Sequence, residues 1–280
     1  MNACTDLTDI ARDYYDSDDA DGFYARIWGG EDIHIGLYQD PEEPIVDASR
    51  RTVEAMAAMV QELDADTRVL DVGAGYGGAA RWLVRQYGCR VSCLNLSVRQ
   101  NERNRHLNGQ QGLDERIEVI DGAFEDIPLR DASVDLVWSQ DAILHSGRKQ
   151  RVLQEIHRVL RPGGQFLFTD PMQSDDCPGG VLQPILDRIH LDSLGSFAGY
   201  RGLARDIGFE EIRMVDQTPH LVNHYRRVKA ELEAHHEDLA RECSRDYLER
   251  MRQGLQHWVD GGRKGYLAWG MLHLRKRATA

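Results

Sequence analysis

A short apolar run that ends in a cluster of glycines, Val69–Gly78 (VLDVGAGYGG), limits the folds open to this chain more than any other segment. Glycine lets the backbone turn sharply from a strand into a helix and approach a ligand closely. The N-terminus of the following helix then faces that ligand. The segment therefore predicts a nucleotide-type site, and its candidate contacts are Asp71, Gly73, Ala74 and Gly75.

Strands and helices alternate from Thr67 to Met172. The predicted strands are RVLDVGAG, RVSCLNLS, RIEVIDGAF, VDLVWSQDAI and QFLFTDPM. The predicted helices between them are AARWLVRQYG, NERNRHLNGQQG and RKQRVLQEIHRVL, and an amphipathic helix at 44–63 precedes them. This alternation is typical of βαβ units and predicts a parallel sheet.

The alternation loosens after Met172. The patterns predict helices at 181–194, 199–207, 221–236 and 244–260, and strands at 210–217 and 266–275. The two late strands predict an antiparallel, hairpin-like pair that finishes the sheet. The insertion between them, about 219–262, is expected to fold over the carboxyl edge as a helical cap. Residues 1–43 are expected to cover the site, and 44–280 to form the main domain.

Length and charge restrict the class of protein. A chain of 280 residues suits one large α/β domain with insertions. Its 34 Lys and Arg against 46 Asp and Glu give a net charge of −12, which disfavours a nucleic-acid partner. The start of the chain lacks a basic and apolar leader, and no window approaches 18 apolar residues, so we expect a cytoplasmic protein that does not enter membranes. Both a monomer and a homodimer remain open.

The cysteines and histidines give little sign of a metal site. The five cysteines form no CxxC pair and are expected to be reduced, mostly buried thiols: Cys4, Cys89, Cys93, Cys177 and Cys243. His220 and His224 have the i, i+4 spacing of a metal-binding helix, but no third ligand stands nearby. We therefore expect no metal.

The glycine motif alone does not name a cofactor. Gly73, Gly75 and Gly78 also satisfy the GxGxxG spacing of dinucleotide enzymes, so a dehydrogenase stays open at this point. Such an enzyme usually ends its second strand with an acid that binds the ribose hydroxyls. This chain has Asn95 there, which can still bond to hydroxyls.

Further segments resemble methyltransferases. The run 94–97 (LNLS) followed by Gln100 resembles a turn of small-molecule methyltransferases, including the cyclopropane synthases, and 121–124 (DGAF) resembles the segment that brackets the adenine. Gly163-Gly164 resembles the turn into strand five. The resemblance implies a Rossmann-like, class I fold with a mostly parallel seven-stranded sheet and helices on both faces. It also implies S-adenosylmethionine as co-substrate, with contacts from Asn95, Leu96, Gln100, Asp121, Ala123, Phe124 and Gln140.

Local structural roles are the alternative for some of these residues. Asp71 would then cap the glycine turn, Asn95 would be a turn residue, and Phe124 would belong to the core.

A narrower resemblance runs from about residue 20 to 276. FYARIWGGEDIHIGLY, WSQDAILHS, TDPM, LQPILDRI, NHYRRVKAEL, GLQHWVDGG and WGMLHLRK look like the sarcosine/dimethylglycine N-methyltransferases of glycine betaine synthesis. This implies methyl transfer to the nitrogen of sarcosine and dimethylglycine. The alternatives are a methyltransferase of another acceptor, such as phosphoethanolamine or a lipid, and a cofactor-binding protein without turnover.

Amine methylation suggests roles for residues just beyond strand four. Open α/β sheets place ligands at this edge, where Gln140, Asp141 and His145 stand. His145 is the natural proton relay at neutral pH, and Gln140 or Asp141 could hold the cofactor or the amine. Alternatively, His145 begins a helix and bonds to backbone.

Aromatic, polar and cationic residues are the candidates for binding the methyl acceptor. Tyr24, Trp28, His34 and Tyr38 suit a cover over a cationic product, or else anchor the N-terminal segment to the core. Pro171 and Met172 could shape the pocket, or stop the strand and fill the core. The candidate donors to a substrate carboxylate lie in the cap-forming region: Tyr200, Arg201, His224 and Tyr225.

Overall fold

The glycine turn follows an interior strand of a mixed sheet. The computed structural model describes residue 16, residues 18–28 and residues 30–278. Within them the strands are β1 (Arg68–Val72), β2 (Arg90–Asn95), β3 (Ile117–Asp121), β4 (Val134–Gln140), β5 (Leu160–Gln173), β6 (Phe209–Asp216) and β7 (Leu267–Lys276). They form one sheet in the order β3-β2-β1-β4-β5-β7-β6. Only the pairs β5–β7 and β6–β7 are antiparallel.

Helices connect and cover these strands. In the described part of the chain they are α1 (Asp18–Ile27), α2 (Ile45–Ala57), α3 (Gly78–Tyr87), α4 (Val98–Gln110), α5 (Lys149–Val159), α6 (Gln183–Ile189), α7 (Phe197–Ile207), α8 (Thr218–Ala234), α9 (His236–Leu239) and α10 (Arg245–Arg263). A 3₁₀ turn, Ile143–His145, follows β4. None of these described helices has the length and apolarity that crossing a membrane requires.

Side chains that alternate along the strands feed two cores, one on each face of the sheet. Leu70 of β1 packs in a cluster with α5 and α7, whereas its neighbour Val69 packs in a cluster with α2 and α3. The predicted class I fold, mostly parallel with helices on both faces, is therefore confirmed.

A third core lies in the helical additions. It joins α1, α6, α8 and α10 and reaches Trp269 of β7, with Phe23, Leu186, Val228 and Leu255 among its buried members. The N-terminal helix and the insertion between β6 and β7 therefore share one apolar cluster.

Three boundaries differ from the predictions, and two of the differences fall where a residue is left-handed. The helix expected at 44–63 ends at Ala57, and the one expected at 181–194 ends at Ile189 because His190 is left-handed with a φ of 55°. The fourth strand stops at Gln140, since Asp141 has a φ of 51°. A non-glycine residue in this region interrupts a regular element.

The cysteines fit their expected state as far as they are described. Cys89, Cys93 and Cys243 are buried free thiols, and Cys177 is a partly exposed one. Cys4 lies outside the described residues, as do residues 1–15 of the expected N-terminal cover.

Candidate active site

A cavity of about 310 Å³ opens at the carboxyl ends of β1, β2, β3 and β4. Many of the predicted cofactor contacts line it: Gly73, Gly75, Asn95, Leu96, Gln100, Ala123, Phe124 and Gln140. The left-handed φ values of Gly73 and Gly75, 75° and 53°, form the turn, and the Gly73 amide donates to the Leu94 carbonyl at 2.8 Å. The glycine turn thus forms one wall of this cofactor cavity.

The wall also carries an unsatisfied donor. Oε1 of Gln140 accepts a hydrogen bond from the Trp138 indole at 2.9 Å, whereas its buried Nε2 has no partner within the described residues. Buried donors are normally satisfied, so this side chain suits a ligand that brings an acceptor.

A second cavity, about 250 Å³, lies between the sheet, α1, α6, α8 and α10. Four aromatic rings line it: Tyr24, Trp28, Tyr225 and Trp258. Tyr24 lies 5.2 Å from Trp28, and Tyr225 stacks on Trp258 at 4.9 Å, between ring centroids. This acceptor cavity therefore offers several aromatic faces to one small ligand.

The two cavities meet at three residues. Ile33, Asp141 and His145 line both of them. A ligand in the cofactor cavity and one in the acceptor cavity would come into contact at this junction.

Asp141 is held rigidly at the junction. Its Oδ2 accepts from the Ile35 amide at 2.7 Å, and its Oδ1 accepts from the Trp269 indole at 2.8 Å. Burial raises the pKa of the Asp141 carboxyl, while His34 and these donors act against the rise. The carboxylate therefore ties the N-terminal segment and β7 to the end of β4.

The surroundings of His145 disfavour the protonated form of its imidazole. Burial, helped by the positive charges of Lys149 and Arg188, lowers the pKa of this imidazole to about 4. A desolvated imidazole beside two cations resists protonation, which argues against titration near neutrality; the catalytic role of His145 stays a prediction.

Asp170 of β5 holds the 3₁₀ turn that carries His145 through a hydrogen bond to its backbone. Oδ1 of this buried carboxylate accepts from the Leu144 amide at 2.8 Å, and Oδ2 accepts from the Tyr200 hydroxyl at 2.6 Å. Lys149 also donates to the Leu144 and Ser146 carbonyls. The turn is thus positioned by groups outside the cavities.

Three predicted cofactor contacts lie elsewhere: Asp71, Ala74 and Asp121 do not line either cavity. Asp71 is buried within β1, where desolvation and the nearby Asp32 raise its pKa to about 7. Asp121 accepts from Asn101 at 2.7 Å and pairs with Arg105 at 2.6 Å. Direct contact of these residues with a cofactor stays a prediction.

Some of the residues predicted to bind the methyl acceptor line the acceptor cavity, and others do not. Tyr24, Trp28, His34, Pro171 and Tyr225 line the acceptor cavity, as do Asp141 and His145. Tyr38, Met172, Tyr200, Arg201 and His224 do not.

Each of these five has other contacts. Met172 and Tyr200 are buried in the sheet core, and Arg201 forms an exposed ion pair with Glu211. Nδ1 of His224 accepts from the Gly36 amide at 3.2 Å and contacts the Tyr38 hydroxyl at 2.9 Å. These histidine contacts fasten the N-terminal segment to α8.

Several cavity residues escaped the sequence reasoning, among them Ile33, Arg188, His190, Met251, Leu255 and Trp258. The last three share one face of α10, where the spacing 251, 255, 258 was a usable signal. No local sequence signal distinguishes Arg188 from the many other arginines of the chain. Among the described residues that line the acceptor cavity, it is the only Lys or Arg.

Known methyltransferases share the sequence pattern and the fold that surround these cavities. Residues 70–168 match the family model of a methyltransferase domain. A phosphoethanolamine N-methyltransferase of Haemonchus contortus, solved with S-adenosylmethionine, superposes with a TM-score of 0.81 over 95% of this chain and 60% of its own. At 19% identity it shows a shared fold alone.

Nearer relatives show the family. The sarcosine/dimethylglycine N-methyltransferase of Halorhodospira halochloris is 60% identical, with 96% of each chain covered. The crystal structure of a Galdieria sulphuraria protein assigned as a sarcosine dimethylglycine methyltransferase has a TM-score of 0.90 at 47% identity, covering 95% of this chain and 100% of that one. The chain therefore belongs to the sarcosine/dimethylglycine N-methyltransferase family of S-adenosylmethionine-dependent enzymes.

Proposed function

We propose that this protein methylates the nitrogen of sarcosine and of dimethylglycine and that its final product is glycine betaine. The observation that carries the proposal is the junction at Ile33, Asp141 and His145, where a glycine-walled cavity meets an aromatic-walled one. Methyl transfer requires two bound reactants to touch at one point, and holding them aligned supplies much of the rate.

The residues of the cofactor cavity fit S-adenosylmethionine. Apolar Leu96 and Phe124 suit the faces of an adenine, the amide of Asn95 suits ribose hydroxyls, and the unpaired Nε2 of Gln140 suits an acceptor on the ligand. When bound, S-adenosylmethionine supplies an electrophilic methyl group and leaves as S-adenosylhomocysteine. The reaction is a direct displacement at carbon, so the proposal needs no metal ion.

The aromatic cavity suits an acceptor that becomes more cationic as it is methylated. Aromatic faces stabilise a quaternary ammonium by roughly 0.5–2 kcal/mol each. Tyr24, Trp28, Tyr225 and Trp258 would supply them here. Pro171 at the end of β5 would limit the room around the methyl groups.

The acceptor must lose a proton before it is methylated. An aliphatic amine with a pKa near 10 resists this at pH 7 by about 4 kcal/mol, at about 1.4 kcal/mol per unit. Solvent can take this proton before the amine binds, and His145 at the junction can then accept a hydrogen bond from the amine and align it, in place of the proton relay expected from the sequence. Asp141, whose two oxygens already accept hydrogen bonds, would orient the site.

The surroundings of the site complete the proposal. Residues 1–43 would cover the acceptor cavity and the insertion at about 219–262 would cap it, since described residues of both line it.

We further propose a cytoplasmic enzyme of small amino acids with no nucleic-acid substrate, in keeping with its net charge of −12.

Labelled S-adenosylmethionine and a panel of glycine, sarcosine, dimethylglycine and phosphoethanolamine test the proposal. Sarcosine and dimethylglycine should be methylated efficiently. Glycine should react poorly, because each missing methyl forfeits on the order of 1 kcal/mol of apolar contact. Equal efficiency on glycine, or turnover of phosphoethanolamine alone, would refute the assignment.

A further inference from the structure

We propose that the guanidinium of Arg188 binds the carboxylate of the methyl acceptor and thereby makes the enzyme specific for amino acids. The inference deepens the proposed function and rests on it. Sequence reasoning favoured Tyr200, Arg201, His224 and Tyr225 for this role, and of these only Tyr225 lines the acceptor cavity.

Charge and position favour Arg188 as the anion anchor. It is half-buried near the end of α6, and no other Lys or Arg among the described residues lines this cavity. A guanidinium offers a planar fork of donors that matches a carboxylate in two parallel hydrogen bonds. The acidic residue that lines the same cavity, Asp141, already accepts hydrogen bonds from Ile35 and Trp269.

Helix α10 is shaped to receive this side chain. A Cβ built on Gly254 would lie 2.5 Å from Nη1, 2.6 Å from Cζ and 2.7 Å from Nε of Arg188, so the flat guanidinium rests against the helix backbone. Its Nη2 also lies 2.6 Å from Sδ of Met251. A glycine inside a helix is unfavourable by roughly 0.5–1 kcal/mol relative to alanine. Here the missing side chain makes room for the cation.

The same helix brings the proposed carboxylate site at Arg188 close to the aromatic rings that would bind the ammonium group. Trp258 lies four residues beyond Gly254, about 6 Å along the axis at a rise of 1.5 Å per residue. Its ring lines the acceptor cavity and stacks on Tyr225. An N-methylated α-amino acid carries its ammonium and carboxylate one carbon apart, so one such molecule can reach the aromatic rings and Arg188 together.

Two matched ligands isolate the carboxylate. Betaine and choline both carry a trimethylammonium group, but choline has a hydroxymethyl group where betaine has the carboxylate. Arg188→Met should weaken inhibition by betaine about thirtyfold or more, as expected when one partner of a buried charge pair is removed, and should leave choline unchanged or tighter. The KM for dimethylglycine should rise together with the inhibition constant of betaine.

Two further variants separate the role from general damage. Gly254→Ala keeps the charge but displaces the guanidinium, so betaine binding should weaken while S-adenosylhomocysteine affinity stays constant. Arg252→Met is the matched control, because Arg252 pairs with Glu249 on the same helix and lines neither cavity. It should leave both inhibition constants unchanged.

The outcomes distinguish this inference from the proposed function. Turnover of dimethylglycine by the wild type tests the function, and its absence overturns both. If the wild type turns over dimethylglycine but Arg188→Met shifts betaine and choline equally, or neither, the carboxylate assignment alone is overturned. Calorimetry with S-adenosylhomocysteine present gives the same binding comparison if a variant does not turn over.

Discussion

The indole nitrogen of Trp269 donates a hydrogen bond of 2.8 Å to Oδ1 of Asp141. The bond links β7, the last of the described strands, to the residue that follows β4 at the junction of the cavities. Asp141 also accepts from the Ile35 amide, so three distant segments meet on one carboxylate. Desolvation raises the pKa of this half-buried carboxyl, and each donor therefore helps to keep it ionised.

Trp269→Phe should remove this donor and keep an aromatic ring. A fully buried polar group that loses its partner costs about 1–3 kcal/mol, and because this carboxylate is half-buried the free energy of unfolding should fall by about 1 kcal/mol. Turnover should fall as well, because Asp141 orients the junction. Urea unfolding and steady-state kinetics measure both. Trp82→Phe, in a ring that packs on Tyr87 outside the cavities, is the control. Equal stability of the Trp269 and Trp82 variants would contradict this account.

Gly73→Ala should abolish cofactor binding, since its added Cβ would overlap the Cβ of Ala142 in the cavity wall. Its φ of 75° is matched by the 79° of Gly163, which lies near the start of β5. A Cβ added to Gly163 would have nothing within 4 Å. Gly163→Ala therefore controls for backbone strain, about 1–2 kcal/mol in this region. Calorimetry with S-adenosylhomocysteine should show loss of affinity only at position 73. Equal affinities in the two variants would remove the glycine turn from the cofactor site.

Local sequence signals predicted the part of the site that is built from neighbouring residues. Strand periodicity and the Val69–Gly78 turn predicted the five parallel strands and the cofactor cavity at their carboxyl ends, because both depend on residues that are adjacent in the chain. The aromatic residues Tyr24 and Trp28 were also predicted to face the acceptor, and they line its cavity.

What escaped prediction depends on contacts between distant segments. Arg188 reaches the cavity because Gly254, 66 residues later, leaves room for it. Tyr200 looked like a substrate donor, yet its hydroxyl binds Asp170 in the core. Asp141 was placed inside a strand, because nothing local marks a left-handed aspartate. Such choices follow from packing rather than from propensity.

Asp170→Asn should change how stability depends on pH. Burial raises the pKa of Asp170 to about 7, whereas an unfolded aspartate titrates near 4. Between these values the folded state holds the extra proton, so this group stabilises the fold most at low pH and progressively less as pH rises to about 7. The stability of Asp170→Asn relative to the wild type should therefore increase from pH 5 to 7 and level off above. Denaturant unfolding at each pH measures it, and parallel curves would show that Asp170 does not titrate in this way.

His145→Ala should lower turnover about a hundredfold, because the amine loses the group that aligns it, with little loss of S-adenosylhomocysteine affinity. Because the pKa of His145 lies near 4, its titration adds no limb between pH 6 and 8. The catalytic efficiency of the wild type should instead rise about tenfold per pH unit there, as the free amine becomes available. A break near pH 6.5 that disappears in the variant would restore a near-neutral histidine. Unchanged turnover would make His145 structural.

Trp28→Leu should weaken betaine as a product inhibitor more than it weakens S-adenosylhomocysteine. The Trp28 ring lines the acceptor cavity and lies 5.2 Å from Tyr24 and 6.1 Å from Tyr225, so its loss opens the aromatic wall. One aromatic face contributes roughly 0.5–2 kcal/mol to a quaternary ammonium, which is about two- to thirtyfold in the inhibition constant. S-adenosylhomocysteine carries no quaternary ammonium and should bind as before. Trp82→Leu, which removes an indole outside both cavities, should leave both constants unchanged. If Trp28→Leu lowered the unfolding free energy but left betaine inhibition intact, this indole would be an anchor for α1 rather than part of the acceptor site.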